Sequence, residues 1–536
     1  MKKILIISLI LLISIPLFIG CSSESPTSPG ITSSFSTPGS ATPVSGQSGV
    51  SSPQPQYGGH MKWIHTGGMP ILGHAIDGVF GTRNTRPALE GLLLSDEQDR
   101  IHPWLAESWD VSPDGKVITL HLRKGIKFHD GTDFNAQAVK YNVDQTVEKN
   151  VPGSAAFTNV KSIQIPDDYT IVFTLDKYDY AFLLRLAQGF LIGSPTALSK
   201  PTTPENTAKD HLVGTGPFKF DSWSVEQFAR FTKFSNYWQK GKPYVDSVEV
   251  RTTPDITVAI MSFKAKEVNF VDVLDPSDAV ALAKEGYEIY LPPLFFVHVI
   301  IPDSANPQSP FADKRVREAL EYALNREAMA QTIGKGYMFP AYQIATKGDP
   351  WEQTGLPVRQ YNPSKAKRLL AEAGYPNGFK TTIVSDVRIR RDQLVAVQTY
   401  LKEVGIDASI DMADVPRFNS LTQSGWSGLL MPGFPVGSTL MGIVGHFNDT
   451  VFTYPSRKQF EGYKDKWDAV FRQTDYEQMI TQLKANLKIE IEEALITPYI
   501  YDQPRCVIDD KLQDMNWTKR HTFDYWSPAD LWLKQK

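Results

Sequence analysis

The stretch LRKGIKFHDGTDFNA, residues 122–136, decides how this chain is read. It sets His129 beside Asp130 among apolar residues, a pairing that suits either acid–base chemistry or a tight turn. Upstream, Pro113-Asp-Gly115 is a turn signal. In Val117-Ile-Thr-Leu-His-Leu122 the side chains Ile118, Leu120 and Leu122 alternate with Val117, Thr119 and His121, the pattern of a half-buried strand. Lys124-Gly125 is expected to turn the chain back into Ile126-Lys-Phe128 as a hairpin, and His129-Asp-Gly131 to turn it again. Asn135 then caps a helix running through Ala136, Val139 and Val143. An aspartate in such a turn accepts backbone N–H bonds, whereas a general base needs a substrate proton within reach and an orienting partner. The stretch reads as scaffold.

The second half of the chain carries cleaner helices. Asp313 is placed to cap one with Val316, Leu320 and Leu324 on a single stripe. Asn325-Arg-Glu327 begins another that stops at Gly334, read as a C′ glycine. Pro363-Ser-Lys-Ala-Lys-Arg-Leu-Leu-Ala-Glu-Ala373 is helical, with Gly374 just past its end. A helix over 394–404 stops at Gly405 and leads into a strand over 406–410. Helices that end in glycine and feed strands point to an α/β body.

At 536 residues the chain is too long for one ordinary core, so at least two lobes are expected. A net charge of -4 lacks the clustered basic excess that nucleic acid would require. Cys21 and Cys506 are the only cysteines, too few for a disulfide framework, and Cys506 reads as a lone buried thiol. Met1-Lys2-Lys3 precedes an almost wholly apolar run of 16 residues, 4–19. That is short of the roughly 20 residues a membrane-spanning helix needs, so 1–20 reads as a signal peptide. The sequence Leu17-Phe-Ile-Gly-Cys21 resembles the bacterial lipobox, which makes Cys21 the lipidation site. Residues 21–56, rich in Ser, Pro, Thr and Gly, bury too little surface to offset chain entropy and read as a disordered tether.

Five further segments, in order, resemble the family 5 extracellular solute-binding proteins, receptors of peptide, nickel and related ABC importers. They begin with Pro103-Trp-Leu-Ala-Glu-Ser-Trp109 through Gly131 and Phe134-Asn-Ala136, followed by Val213-Gly-Thr-Gly-Pro-Phe218. Pro310-Phe-Ala-Asp-Lys-Arg-Val-Arg-Glu-Ala-Leu320 with Asn325-Arg-Glu327 is the third. Leu370-Ala-Glu-Ala-Gly-Tyr-Pro376 and Leu401-Lys-Glu-Val-Gly-Ile406 complete the set. The resemblance implies an α/β, two-lobe periplasmic-binding-protein-like fold (type II, cluster C) with a discontinuous first lobe. Its expected boundaries are 57–291 for the first lobe, 292–498 for the second, and 499–536 for the return to the first. The outward crossing is expected near 291–299 and the return near 498–507. It further implies a monomeric, lipid-anchored, extracytoplasmic receptor without cofactor or metal. Such a receptor would close on a small solute and present it to an ABC permease.

Peptide-binding members pair the ligand's α-amino group with an aspartate in a pattern like G-W-x-x-D-x-x-D-P. The corresponding stretch here, Leu429-Leu-Met-Pro-Gly-Phe-Pro-Val-Gly-Ser438, has no acid, and none follows until Asp449. An unpaired buried ammonium would be costly, so the ligand is expected to be oligopeptide-like or another neutral, partly apolar molecule. The residues expected to touch it are His65, Met69, His74, Met431, Gly433, Phe434 and Tyr501. Alternation would point Tyr499 and Tyr501 to one side of the return strand. His60, His65 and His74 are spaced by five and nine residues, without accompanying carboxylates or cysteines, and do not suggest zinc. The aromatic stretch 517–532 reads as packing onto the first lobe. No G-x-S-x-G or H-E-x-x-H motif is present, and no cysteine is available for catalysis, so no catalytic residue is assigned. An exported hydrolase with a carboxylate-based site, and a receptor-fold surface sensor or chaperone, are the alternatives.

Overall fold

Val117–Leu122 is a strand whose burial alternates residue by residue, with Ile118, Leu120 and Leu122 inside. Across the turn at 113–115 it pairs antiparallel with Ala106–Val111, and on its other side with Thr170–Leu175, which Val160–Asp167 flanks. Helix Ala136–Glu148 starts where expected: the Asn135 side chain accepts the Ala138 N–H at 2.9 Å. The hairpin expected beyond Lys124-Gly125 does not form. Val117–Leu122 already has a neighbour on each side, so Ile126-Lys-Phe128 has no edge to join. A bridge between Lys127 and Asp133 closes a small loop instead.

This computed structural model describes residues 54–535 except 67, 70, 78–83, 152, 273, 293–295, 433–435, 438, 448–453 and 515–526. The signal peptide, Cys21, almost all of the tether, Gly433, Phe434 and most of 517–532 therefore lie outside the described residues. Pro55–Lys536 forms one unit by its internal contacts, and two seven-stranded sheets organise it. The first has the order Phe218–Ser224, Phe228–Lys233, Ser247–Thr252, His60–His65, Phe270–Val271, Cys506–Ile508, Ile289–Tyr290. The second runs Met338–Pro340, Thr497–Asp502, Phe296–Pro302, Leu429–Met431, Phe379–Asp386, Ile406–Ala413, with Val436–Gly437 also paired to Phe296–Pro302. Among the described strands the chain passes between these sheets twice. It leaves after Ile289–Tyr290 to enter Phe296–Pro302, and returns from Thr497–Asp502 into Cys506–Ile508. The strands at both ends of the two passages pair with each other, so the passages lie side by side.

The helices of the second half follow their caps. Asp313 accepts from Arg315 N ahead of Lys314–Ala323, Asn325 from Ala328 N ahead of Arg326–Gly334, and Asn362 from Lys365 N ahead of Pro363–Glu372. Gly334 is not the C′ residue: it is the last helical position, and Lys335 takes the left-handed conformation with φ 49°. Glycine is needed there for space, because a Cβ would stand 2.2 Å from that of Met338.

Two of the quoted motifs lock together. His129 hydrogen-bonds through Nε2 to Gly216 O at 2.9 Å, and its backbone N–H donates to Gly214 O. Gly214 and Gly216 must be glycine because the 85–88 turn crosses them, where a Cβ would meet Ala88 O at 2.2 and 2.8 Å. Burial moves His129 down to about 4, opposed by its bond to Gly216, so the ring is neutral at neutral pH. Asp130 accepts from Ser194 Oγ and from Thr132. The stretch that opened the reading is scaffold, as expected. Cys506 is buried on its strand.

Candidate functional site

His60–His65 runs parallel to both Ser247–Thr252 and Phe270–Val271. His65, Thr252 and Asp272 therefore emerge together at the carboxyl edge of the first sheet, the edge at which open α/β sheets take ligands. In the second sheet Phe379–Asp386 runs parallel to Ile406–Ala413 and Leu429–Met431, which brings Asp386, Ala413 and Met431 to one edge. The two edges approach each other. Arg390 Nη1 donates to Asp275 Oδ1 at 2.7 Å, and Lys335 Nζ to Ser277 Oγ at 2.8 Å.

Charged side chains line this approach. Arg388 holds the fully buried Asp386 through Nε at 2.9 Å and Nη2 at 2.7 Å, yet keeps 39 % of its own side chain exposed. On the return passage Arg505 donates from Nε to Leu274 O at 2.6 Å and from Nη1 to Asp502 at 2.6 Å. Burial acts to raise Asp502, but His298, 3.8 Å away, and the Arg505 guanidinium outweigh it and hold the carboxyl below its usual range. The return passage is thus tied to the first-sheet side at Leu274 by a charge-assisted hydrogen bond.

The sequence-predicted residues disperse. His65 ends its strand at the carboxyl edge, nearly buried, with its ring 5.6 Å from that of Trp63. Met69 is buried in the apolar cluster of the first sheet, and its N–H donates to Glu226 at 2.9 Å. His74 is buried with both ring nitrogens in use: Nδ1 accepts from Ile76 N, so Nε2 carries the proton and donates to Leu191 O at 2.9 Å. Burial lowers His74 to about 4, against that last bond. Met431 is buried at its strand end, its carbonyl accepting from Ser385 Oγ. Tyr501 turns its hydroxyl to Gln343 O and Ala345 O. Tyr499 and Tyr501 do not share a side, because a bulge opposite His298 and Val299 skips Tyr499 and breaks the alternation. Tyr499 packs in the core of the second sheet and Tyr501 against a different cluster. His60 stands apart, bonded to Ser247 Oγ.

Sequence reasoning missed Asp386, Arg388, Arg390 and Arg505. The signal for the first three was present in Ser385-Asp-Val-Arg-Ile-Arg-Arg391, a burst of charge directly after an apolar run that reads as a strand. Arg505 has no such signal.

Comparison with known proteins accords with this geometry. The glutathione-binding protein GsiB of Shigella flexneri is 35 % identical over 333 residues, 61 % of this chain and 64 % of that protein. GsiB of Salmonella typhi is 34 % identical over the same length. The match spans less than two thirds of these relatives. Among solved structures, the ABC transporter-associated periplasmic binding protein DppA from Helicobacter pylori, in complex with peptide STSA, aligns with a TM-score of 0.73 at 23 % identity, covering 90 % of this chain and 99 % of that one. NikA from Brucella suis, in complex with Fe(III)-EDTA, aligns with a TM-score of 0.75 at 21 % identity, covering 88 % and 100 %. These likenesses bear out the expected α/β two-lobe fold with its discontinuous first lobe. The neighbours are binding proteins, which does not favour the hydrolase alternative. The family model described as bacterial extracellular solute-binding proteins, family 5 Middle, matches residues 100–435, and the chain belongs to that family.

Proposed function

We propose that the protein is the substrate-binding component of an ABC importer, a monomer held to the extracytoplasmic face of the membrane by lipid on Cys21. It captures a peptide-like solute between lobes formed by 57–291 with 499–536 and by 292–498, and presents it to a permease. The observation that carries this reading is the pair of adjacent passages joining two otherwise separate sheets. Two side-by-side crossings form a natural hinge, and the carboxyl edges of both sheets flank the space beside it. Ligand bound to both lobes favours the closed form by its differential affinity for that form.

The ligand we favour is of the size and charge of glutathione. This tripeptide carries two carboxylates against a single ammonium, so its charge is net negative, and the relatives named above bind it. Residues 429–438 carry no acid to meet an amino group. Arg388, in contrast, stands at the crevice edge of the second lobe with 39 % of its side chain exposed. A ligand held by its carboxylates fits that distribution. The test is calorimetric titration with glutathione and with tripeptides with or without a free amino group. Mass spectrometry of whatever co-purifies accompanies it. Glutathione is expected to bind, and Arg388→Ala to weaken it about tenfold or more, and also to lower the melting temperature because it takes the guanidinium away from the buried Asp386. Binding that requires a free peptide amino group and ignores Arg388 would refute the carboxylate-anchored reading.

A further inference from the structure

The turn at 95–101 reaches across the molecule. Asp96 braces it from within, accepting from Gln98 N, Arg100 N and His102 Nε2. Its tip then makes four contacts with residues some 340 to 380 positions away. Tyr476 donates its hydroxyl to Gln98 O. Arg100 pairs with Glu477 at 3.1 Å and lies 4.8 Å over the ring of Tyr476. Asp99, fully buried and held at φ 58°, accepts the backbone N–H of Leu440 through Oδ2 at 2.7 Å. Gln188 Nε2 holds its other oxygen at 3.1 Å, and Tyr180 donates to its carbonyl.

Leu440 is the first residue of helix Leu440–Phe447, whose Gly442 N–H is taken by Thr439 Oγ1. A carboxylate against that end satisfies a donor the helix cannot satisfy itself and complements its dipole. The helix directly follows the stretch 429–438. Val436–Gly437, within that stretch, pairs with the outward passage strand at Phe296 and Val297. The segment expected to face ligand is therefore fixed at one end to the hinge strand and at the other to Asp99.

We infer that Asp99 is a positioning residue for solute capture. It is a first-lobe carboxylate that seats the helix behind the second lobe's ligand stretch when the lobes close, and with Arg100 it forms a closure seam that involves no ligand atom. This rests on the clamp proposed above. On the boundaries proposed above, residues 95–188 belong to the first lobe and 439–477 to the second, so opening parts these contacts together with the buried apolar cluster that the two segments share. Closing remakes a charge-assisted hydrogen bond at a fully buried carboxylate.

The test measures the distance between spin labels on cysteines at the exposed positions 161 and 380, in full-length protein, with and without added glutathione. Wild type is expected to show a short-distance population without ligand. Asp99→Ala is expected to deplete it about tenfold, since loss of a charge-assisted bond is worth roughly one decade. Arg100→Ala, at an exposed pair that folding does not depend on, should deplete it about twofold. Glutathione should close Asp99→Ala only at about tenfold higher concentration than wild type. A purely structural Asp99 would lower the melting temperature and leave both readouts unchanged, which overturns the inference. If wild type ignores glutathione, the ligand reading fails, and the ligand-free distributions alone decide for or against the seam. If Asp99→Ala does not fold, Arg100→Ala and Glu477→Ala decide it in the same way.

Discussion

Four donors converge on the buried carboxylate of Glu90. Trp104 Nε1 and Tyr237 Oη reach Oε1 at 3.1 and 2.7 Å, and Thr215 Oγ1 and Trp238 Nε1 reach Oε2 at 2.8 and 3.0 Å. Burial still pushes the group up to about 7, with the four hydrogen bonds acting against it. Two of the donors belong to quoted motifs, Trp104 to Pro103-Trp-Leu and Thr215 to Gly214-Thr-Gly216, so the acid ties motifs distant in sequence into one knot. Glu90→Gln turns one acceptor oxygen into an amide donor facing two N–H or O–H groups. It should cost about 1–3 kcal/mol, the penalty for unmatched buried polar groups, measured by urea unfolding, with glutathione affinity unchanged. A loss below about 0.5 kcal/mol would mean that the carboxylate is not what holds the knot. Glu90 was invisible in the sequence because its partners lie 14, 125, 147 and 148 residues away. The turn at His129 was legible because turn chemistry is local, Asp130 and Gly131 being its own neighbours, whereas its bond to Gly216 O, 87 residues away, was not.

Elements whose signals are local came through, and those that depend on a neighbour's geometry did not. Caps at Asn135, Asp313 and Asn325, the helix start at Pro363 and the alternation in Val117–Leu122 needed only a few adjacent residues. The hairpin after Lys124-Gly125 failed because the strand it would have joined was already paired on both sides. The Tyr499 bulge has no signature of its own, since two strands define it together. The glycines of the 213–218 segment give a sharp test at this scale. Asn135→Ala should lose about 1 kcal/mol, an ordinary cap. Gly216→Ala must push Cβ into the backbone at Pro87 and Ala88, where atoms lie 2.6 Å from its position. Rigid main chain cannot yield as a flexible side chain does, so it should lose at least about 3 kcal/mol, the range of severe overpacking. Paired chevrons of the two variants check this, and equal losses would mean that the crossing is loose.

At the scale of the whole molecule, the pattern of buried titratable groups sets how the protein responds to acid. His74, His129 and His446 are driven down to about 4, 4 and 3, in each case chiefly by burial. Below their unfolded value of about 6.5 the unfolded chain takes up protons that the folded one refuses, so each removes stability as pH falls from there toward 4. Glu90 and Glu490 are driven up to about 7, again chiefly by burial. Between about 7 and their unfolded value near 4.5 the folded state holds protons the unfolded chain lacks, so both add stability as pH falls through that window. These three groups against these two would leave a shallow net loss from pH 6.5 to 4.5, made shallower still by further carboxyls that burial raises, Asp179, Asp303 and Glu321 among them. Below 4.5 the glutamates stop contributing. The carboxyls held below their usual range, Asp130, Glu249 and Asp502 among them, then begin to lose stability, so the decline should steepen. Melting temperature recorded from pH 7.5 to 3.5 should therefore fall gently and then break downward near pH 4.5. Glu90→Gln removes one of the opposing contributions, so its gentle limb should be steeper than wild type by about 1.4 kcal/mol per pH unit. A variant limb parallel to wild type would show that Glu90 is already ionised at pH 5, and that its four donors outweigh its burial.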